Sequence, residues 1–119
     1  MIYSNKLYVD IVFCKELDEL EKEFPDRLKV IHTLTRETNE ALFNDKFKRG
    51  RVSKEIISKV INDPNNTAVF ACGPDHTTNQ KKAAKEKGET LNPSYMGSVL
   101  ACLDELGVPR NHIKKESYG

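Results

Sequence analysis

A chain of 119 residues with 38% hydrophobic and 31% charged residues can bury one modest core, which predicts a single soluble domain. The formal net charge of +1 gives no electrostatic argument for a nucleic-acid partner, and no segment approaches the roughly 18 consecutive apolar residues of a membrane span. We therefore expect a chain that binds neither nucleic acid nor a membrane.

The N-terminus and the cysteines indicate the cellular compartment. The first six residues lack the basic region and long apolar segment of a secretory signal. Cys14, Cys72 and Cys102 are odd in number and form no Cys-x-x-Cys pair, so neither a disulfide framework nor a zinc site is indicated. A reducing, cytoplasmic location is expected.

The first half of the chain alternates between strand and helix patterns. A short apolar start predicts a strand over residues 1–4, and residues 28–35 predict a second strand. Between them, a helix is expected from Asp10 until Pro25 closes it, with one apolar face formed by Phe13, Leu17, Leu20 and Phe24. Residues 36–50 show no clear period and predict a long loop.

The second half continues the alternation. Ser53 is a predicted N-cap for a helix that should end near Asn62. The remaining predicted elements are a strand over residues 69–74, a helix from Asn79 to Glu86 stopped by Gly88, a helix opened by Pro93 and ended by Gly107 and Pro109, and a short strand within residues 112–119. In the helix after Pro93, the side chains expected to face inward are Met96, Val99, Leu100, Leu103 and Leu106. The order predicts an α/β fold with a parallel sheet and helices on both faces.

Cys72 is the first candidate functional residue. It follows an apolar run and precedes Gly73 and Pro74, a pattern typical of an interior strand of a parallel sheet. Ligands bind outside the carboxyl ends of such strands, so Cys72 is either a site residue or a buried structural thiol. His76 raises the alternative of a Cys-His nucleophilic pair, although no third orienting group is visible. His32 lies in an apolar strand and is expected to belong to the core or the sheet edge.

Six short segments occur in the order seen in the pyridine-nucleotide domain of the ferredoxin-NADP reductase-like flavoproteins. They are Tyr3-Ser4-Asn5, Ile11-Val12-Phe13 with Glu16-Leu17, Leu34-Thr35-Arg36-Glu37, Gly50-Arg51-Val52, Cys72-Gly73-Pro74 and Glu116-Ser117-Tyr118-Gly119. Over essentially its whole length the chain therefore resembles that domain from its second strand onward. The resemblance implies that residues 1–119 are a partial NAD(P)-binding domain with a Rossmann-like sheet.

The resemblance also implies roles for individual residues. Thr35 and Arg36 match a pair that contacts the adenosine ribose or its 2′-phosphate, a task suited to a guanidinium. Cys72 matches a cysteine beside the nicotinamide ring, where Gly73 would let the cofactor approach the backbone. The other residues implied in the site are Ser4, Arg51 and Pro74 for the nucleotide, and Glu116 and Tyr118, as catalytic residues with Cys72, on the flavin side.

A basic stretch could add attraction for the phosphate groups of the nucleotide. It comprises Lys46, Lys48, Arg49, Arg51 and Lys54, with no acidic residue among them. An ordinary solvated basic surface is the alternative. The choice between NADP and NAD stays open, and Lys6 and Arg36 favour the 2′-phosphate only slightly.

Two features of the family are missing from this sequence. It has neither the Gly-Gly-x-Gly-type loop that receives the pyrophosphate at a helix N-terminus nor the flavin-binding barrel that precedes the domain. The family's first strand, which lies between its second strand and the Cys-Gly-Pro strand, is therefore absent. The sheet could be completed by a second copy or another chain, the strands could pair directly, or the chain could be a fragment of a longer reductase, which we favour.

The function implied is therefore that of a part of an oxidoreductase. The nucleotide-binding part would place NADH or NADPH so that hydride passes to a flavin and electrons pass on to an iron-sulfur or haem acceptor. FAD or FMN would be held only by a longer protein or a partner chain, and a homo-oligomer could complete the sheet. The alternatives are a non-catalytic nucleotide-binding or assembly module that docks on a flavoprotein, and an unrelated cysteine-dependent enzyme.

Overall fold

The structure, a computed structural model, describes residues 1–118 of the chain. It confirms the α/β class with parallel strands, and it divides by contacts into two compact units, Met1–Val52 and Ser53–Gly119. Each unit contains its own parallel sheet, and the two are described separately below.

The first unit is built on three parallel strands. Strands β1 (Ile2–Asn5), β2 (Ile31–Leu34) and β3 (Phe47–Arg49) lie in that order, and helix α1 (Cys14–Glu23) connects the first two. All four residues of β2 are buried, as expected for the central strand of a parallel sheet. Because the strands run in one direction, their carboxyl ends lie along one edge.

Strand β3 lies where the sequence predicts only a loop, so that prediction is wrong. The strand has three residues, two of them charged, and such a short segment carries no readable alternation of apolar and polar residues. Its position follows from pairing: Phe47 lies opposite His32, and Arg49 lies opposite Leu34. The strand therefore depends on contacts with distant residues rather than on local pattern.

Helix α1 forms as predicted but begins later. Phe13 has φ 61°, in the left-handed region that non-glycine residues seldom adopt, and it stands outside the helix with 68% of its surface exposed. No residue of α1 is fully buried, so the predicted apolar face is only partly covered among residues 1–118.

The second unit contains the remaining elements. They are α2 (Lys54–Ser58), β4 (Val69–Pro74), α3 (Thr78–Lys87), α4 (Tyr95–Glu105) and β5 (Ile113–Tyr118), with β4 and β5 paired in parallel. The Ser53 hydroxyl accepts a hydrogen bond from the Ile56 N–H, which confirms the predicted N-cap, although α2 ends four residues before the expected Asn62. Gly88, with φ 66°, ends α3 in the left-handed conformation expected of a helix-terminating glycine. In α4, Met96, Val99 and Leu103 are buried as predicted, while Leu100 and Leu106 are partly exposed.

Each sheet has an edge strand that pairs on one side only. Among residues 1–118, β1 pairs only with β2, and β4 pairs only with β5. Within these residues β1 and β4 belong to different sheets, so the direct pairing that was one of the predicted alternatives is not found. Each therefore keeps one edge of unpaired backbone donors and acceptors.

One buried side chain in the first unit predicts a stabilising substitution. Thr33 is fully buried in β2, and its hydroxyl has no hydrogen-bond partner among the described residues. Because a buried unpaired hydroxyl costs free energy, Thr33→Val should raise the free energy of unfolding by about 1–2 kcal/mol in a urea titration followed by circular dichroism. The exposed Thr35→Val is the control, with little expected change, and an equal or lower stability for Thr33→Val would contradict the prediction.

Candidate functional site

In the first unit, the predicted nucleotide residues lie at or next to the carboxyl edge of the sheet. The Thr35 N–H donates to the Asn5 carbonyl at 3.0 Å, and the Arg36 N–H donates to the Lys6 carbonyl at 2.9 Å. Thr35 and Arg36 are exposed, whereas Ser4 is half-buried within β1. Arg51 is exposed just beyond the end of β3. The backbone thus brings these residues to one edge, where parallel sheets bind ligands.

Glu37 holds the loop that follows Arg36. Its carboxylate accepts the Tyr8 N–H at 3.0 Å and the Thr38 and Asn39 N–H groups at 3.1 Å each. These bonds, chiefly those from Tyr8 and Asn39, hold the pKa of the Glu37 carboxyl below its usual value. The side chain therefore stays ionised and ties the segment after β1 to the segment after β2.

Most of the basic stretch is already neutralised by acidic side chains. Four of its five members form ion pairs, namely Lys46 with Asp18 and Glu21, Lys48 with Asp45, Arg49 with Glu40, and Lys54 with Glu105. Arg51 forms no ion pair with any of residues 1–118, and neither do Arg36 and Lys6. These three residues are therefore better candidates for binding a phosphate group than the basic stretch as a whole.

His32 is a core residue, as expected from its strand. Its ring is stacked on Phe47 with centroids 4.8 Å apart and lies 5.9 Å from the Tyr3 ring. Only 1% of the residue is exposed. Burial lowers the pKa of the imidazole, the nearby Lys46 ammonium lowers it further, and Glu21 opposes the shift. The ring is thus held neutral in the folded chain.

This histidine predicts a loss of stability in mild acid. Because the pKa is lowered by folding, the unfolded chain binds a proton at about pH 6.5 when the folded chain does not, so stability falls as the pH drops below that value. Urea midpoints measured from neutral pH down to about pH 5.5 should show this decline. His32→Phe should show a flatter profile than the unaltered chain. Parallel profiles for the two proteins would contradict the prediction.

In the second unit, the three residues predicted to be catalytic lie together. The Cα register places Cys72 opposite Glu116 and Pro74 opposite Tyr118. Paired residues on adjacent strands project from the same face of a sheet, and all four of these residues are exposed. Cys72, Glu116 and Tyr118 therefore share one open surface at the carboxyl end of β4 and β5.

The prediction that Cys72 ends an interior strand is wrong. Side chains along β4 alternate between partly covered and exposed, and Phe70 has 78% of its surface exposed on the same face as Cys72. The reason is that, among residues 1–118, β4 pairs with β5 alone, and α4 packs against one of its faces. The thiol is free and exposed, which excludes the alternative of a buried structural cysteine.

Gly73 has a role within the protein that the sequence does not reveal. A side chain at this position would collide with the ring of Tyr95, the first residue of α4. The glycine therefore lets α4 pack closely on β4. Tyr95 was not among the predicted site residues, because it lies more than twenty positions further along the chain.

The segment after Pro74 is fastened by two hydrogen bonds at its base. The Ser94 hydroxyl donates to the Asp75 carboxylate at 2.6 Å, and a His76 ring nitrogen lies 2.6 Å from the Asn92 carbonyl. The Ser94 hydroxyl and the His76 N–H lower the pKa of the Asp75 carboxyl. His76 thus connects the two ends of the segment that carries α3, which leaves no support for a Cys-His nucleophilic pair.

Other kinds of site find no support in the described residues. Within residues 1–118, no cluster of histidine, cysteine and acidic side chains could hold a metal ion. In the same residues, no helix combines the length and the apolar character needed to cross a membrane. A cleft of about 520 Å³ is lined by residues of α4 and β5, including Leu100, Arg110 and Ile113, but by none of the predicted site residues.

A protein-family model and curated relatives both match this chain, and both concern oxidoreductases. Residues 1–82 match the family model of the oxidoreductase NAD-binding domain. NADH-cytochrome b5 reductase 2-B of Vanderwaltozyma polyspora is 33% identical over 116 residues, which are 97% of this chain and 36% of that protein. NADH-cytochrome b5 reductase 2 of Aspergillus terreus is 31% identical over 117 residues, covering 97% of this chain and 34% of that protein. The chain thus spans about a third of the length of the curated relatives it matches.

Proposed function

Because the chain belongs to the oxidoreductase NAD-binding domain family, we propose that it binds NADH and presents the nicotinamide for hydride transfer to a flavin. The observation that carries this proposal is the shared exposed face of Cys72, Glu116 and Tyr118 at the carboxyl ends of two parallel strands. An open surface of this kind can receive a flat ring and a second ring stacked on it. Electrons would pass onward to a haem-protein acceptor, as the names of the relatives indicate for those proteins.

Different residues of the candidate site would contact the two halves of the nucleotide. Arg36, with Ser4, Thr35 and Arg51 near it along the sheet edge, would contact the adenosine half, and the guanidinium is unpaired among residues 1–118. Cys72, flanked by Gly73 and Pro74, would lie beside the nicotinamide. Glu116 would hold or move a proton, and the Tyr118 ring would cover the flavin. The flavin, which accepts hydride and releases single electrons, would come from a longer protein or a partner chain.

The names of the relatives indicate which nucleotide to expect. The relatives carry NADH in their names, so NAD(H) is the expected cofactor, although Lys6 and Arg36 could still accept a 2′-phosphate. The sequence has no Gly-Gly-x-Gly-type loop for the pyrophosphate, so binding by this chain alone should be weaker than in a complete domain.

Isothermal titration of the purified chain with NAD⁺ and NADP⁺ tests the proposal. We expect saturable binding of NAD⁺, reduced about tenfold by Arg36→Ala because a charge-assisted hydrogen bond is lost. Arg27→Ala is the matched control, since Arg27 is exposed but precedes β2 at its amino end, and it should leave the affinity unchanged. No binding at millimolar nucleotide, or equal losses in both variants, would reject the proposal for this chain.

A second candidate function is a module that docks on a flavoprotein without catalysis. The unpaired edges of β1 and β4 and the exposed Phe70 favour it, since a partner could supply the missing strand and cover the aromatic ring. Sequencing the gene upstream of the Met1 codon distinguishes the reductase from the docking module. A coding region for a flavin-binding domain continuous with the Met1 codon supports the reductase, whereas a genuine start codon at Met1 supports the module.

A further inference from the structure

We propose that Tyr95 is a positioning residue for the candidate hydride site. Its ring closes the side of β4 opposite the Cys72 side chain, so that a nicotinamide can approach Gly73 only from the exposed face. This inference rests on the proposed function, and it gives Gly73 a partner within the protein on the face opposite the one proposed for the nucleotide.

The packing of the ring against the strand is the first support. Gly73 is buried, and a Cβ built on it would overlap two carbon atoms of the Tyr95 ring. Successive residues of a strand point to opposite faces, so the ring occupies the face that Cys72 does not. The strand end therefore has one covered face and one open face.

The start of α4, which carries the ring, is held by hydrogen bonds that also fix the ends of both strands. The Ser94 hydroxyl accepts the Gly97 N–H at 3.0 Å as the N-cap of α4 and donates to the Asp75 carboxylate at 2.6 Å. The Asp75 N–H in turn donates to the Tyr118 carbonyl at 2.9 Å. The start of α4, the end of β4 and the end of β5 are thus joined through Asp75 immediately beside the candidate site.

The electrostatic surroundings of the ring agree with this position. Burial raises the pKa of the Tyr95 phenol, and the neighbouring Tyr118 and Cys72 raise it further. The ring lies against Gly73, the residue that directly follows Cys72 in β4. A rigid aromatic ring at this point prevents the strand end from moving toward α4.

Substitutions at positions 73 and 95 of the purified chain test the inference in two ways. First, urea unfolding is measured for Gly73→Ala, Tyr95→Ala and the double variant. Because the added methyl group collides only when the ring is present, Gly73→Ala should lower the urea midpoint strongly in the unaltered chain and much less in the Tyr95→Ala background. Tyr95→Phe keeps the ring and should retain the strong effect of Gly73→Ala.

Second, protection of the Cys72 thiol by NADH is measured through its alkylation by iodoacetamide, with the modified peptide quantified by mass spectrometry. Tyr95→Phe should need the same NADH concentration for half-protection as the unaltered chain. Tyr95→Ala should need about ten times more, because the strand end is no longer held in position. Leu91→Ala, an exposed site in the same unit, is the control and should match the unaltered chain.

The outcomes separate this inference from the proposed function. If NADH fails to protect Cys72 in the unaltered chain, the proposed function is rejected, and the nucleotide part of this inference with it. If protection occurs but positions 73 and 95 show no coupling, the packing of Tyr95 on Gly73 is rejected alone. If coupling occurs but Tyr95→Ala protects as well as Tyr95→Phe, the ring supports the fold and does not position the site.

Discussion

Leu34→Ala is expected to lower the free energy of unfolding by about 2–5 kcal/mol. Leu34 is the last residue of the central strand β2, with 1% of its surface exposed. Truncation removes buried methyl groups and leaves a cavity that neighbouring strands can close only partly, because they are fixed by backbone hydrogen bonds on both sides of β2. Urea unfolding followed by circular dichroism measures the loss.

Leu20→Ala is the matched control for this prediction. The same atoms are removed from the same unit, but Leu20 has 43% of its surface exposed on α1. The loss should therefore be well below that of Leu34→Ala, since less apolar surface returns to water and no enclosed cavity forms. Equal losses would show that β2 is not the centre of the folded core of the first unit.

Local sequence signals were enough to predict that helices α1 to α4 exist, although α1 begins later and α2 ends earlier than expected. Ser53 and Gly88 mark helix ends by chemistry that acts over a few residues, a hydroxyl that accepts a backbone N–H and a glycine that adopts a positive φ. The apolar spacing along α4 likewise placed Met96 and Leu103 in the core. Such signals depend on the immediate neighbours and can be recognised without knowledge of the fold.

The errors concern features that arise from pairing between distant segments. Strand β3 pairs with β2, where Phe47 stacks on His32 fifteen positions earlier in the chain, and its own residues carry no strand pattern. Phe70 was expected inside a sheet, but a strand paired on one side only leaves it exposed. In both cases the sequence pattern is local, whereas burial depends on which strands are present beside it.

Only part of the candidate site could be predicted, because some of its residues become neighbours only in the fold. Cys72, Glu116 and Tyr118 were identified through the resemblance, and the register of β4 and β5 brings them together. Their roles remain predictions. Tyr95 and Asp75 were not predicted. Tyr95 contacts Gly73, and Asp75 forms hydrogen bonds with Ser94 and Tyr118. Only the fold brings these partners together.

Met96→Ala should cause a second large loss, about 2–5 kcal/mol of the free energy of unfolding. Met96 has no exposed surface and directly follows Tyr95 at the start of α4. A cavity here should loosen the first turn of the helix, so we also expect faster amide hydrogen exchange at Gly73 than in the unaltered chain. Met96→Leu preserves most of the buried volume and should lose less than about 1.5 kcal/mol, with exchange at Gly73 nearly unchanged. If the two variants behaved alike, the volume of the side chain at position 96 would not determine how firmly α4 holds the end of β4.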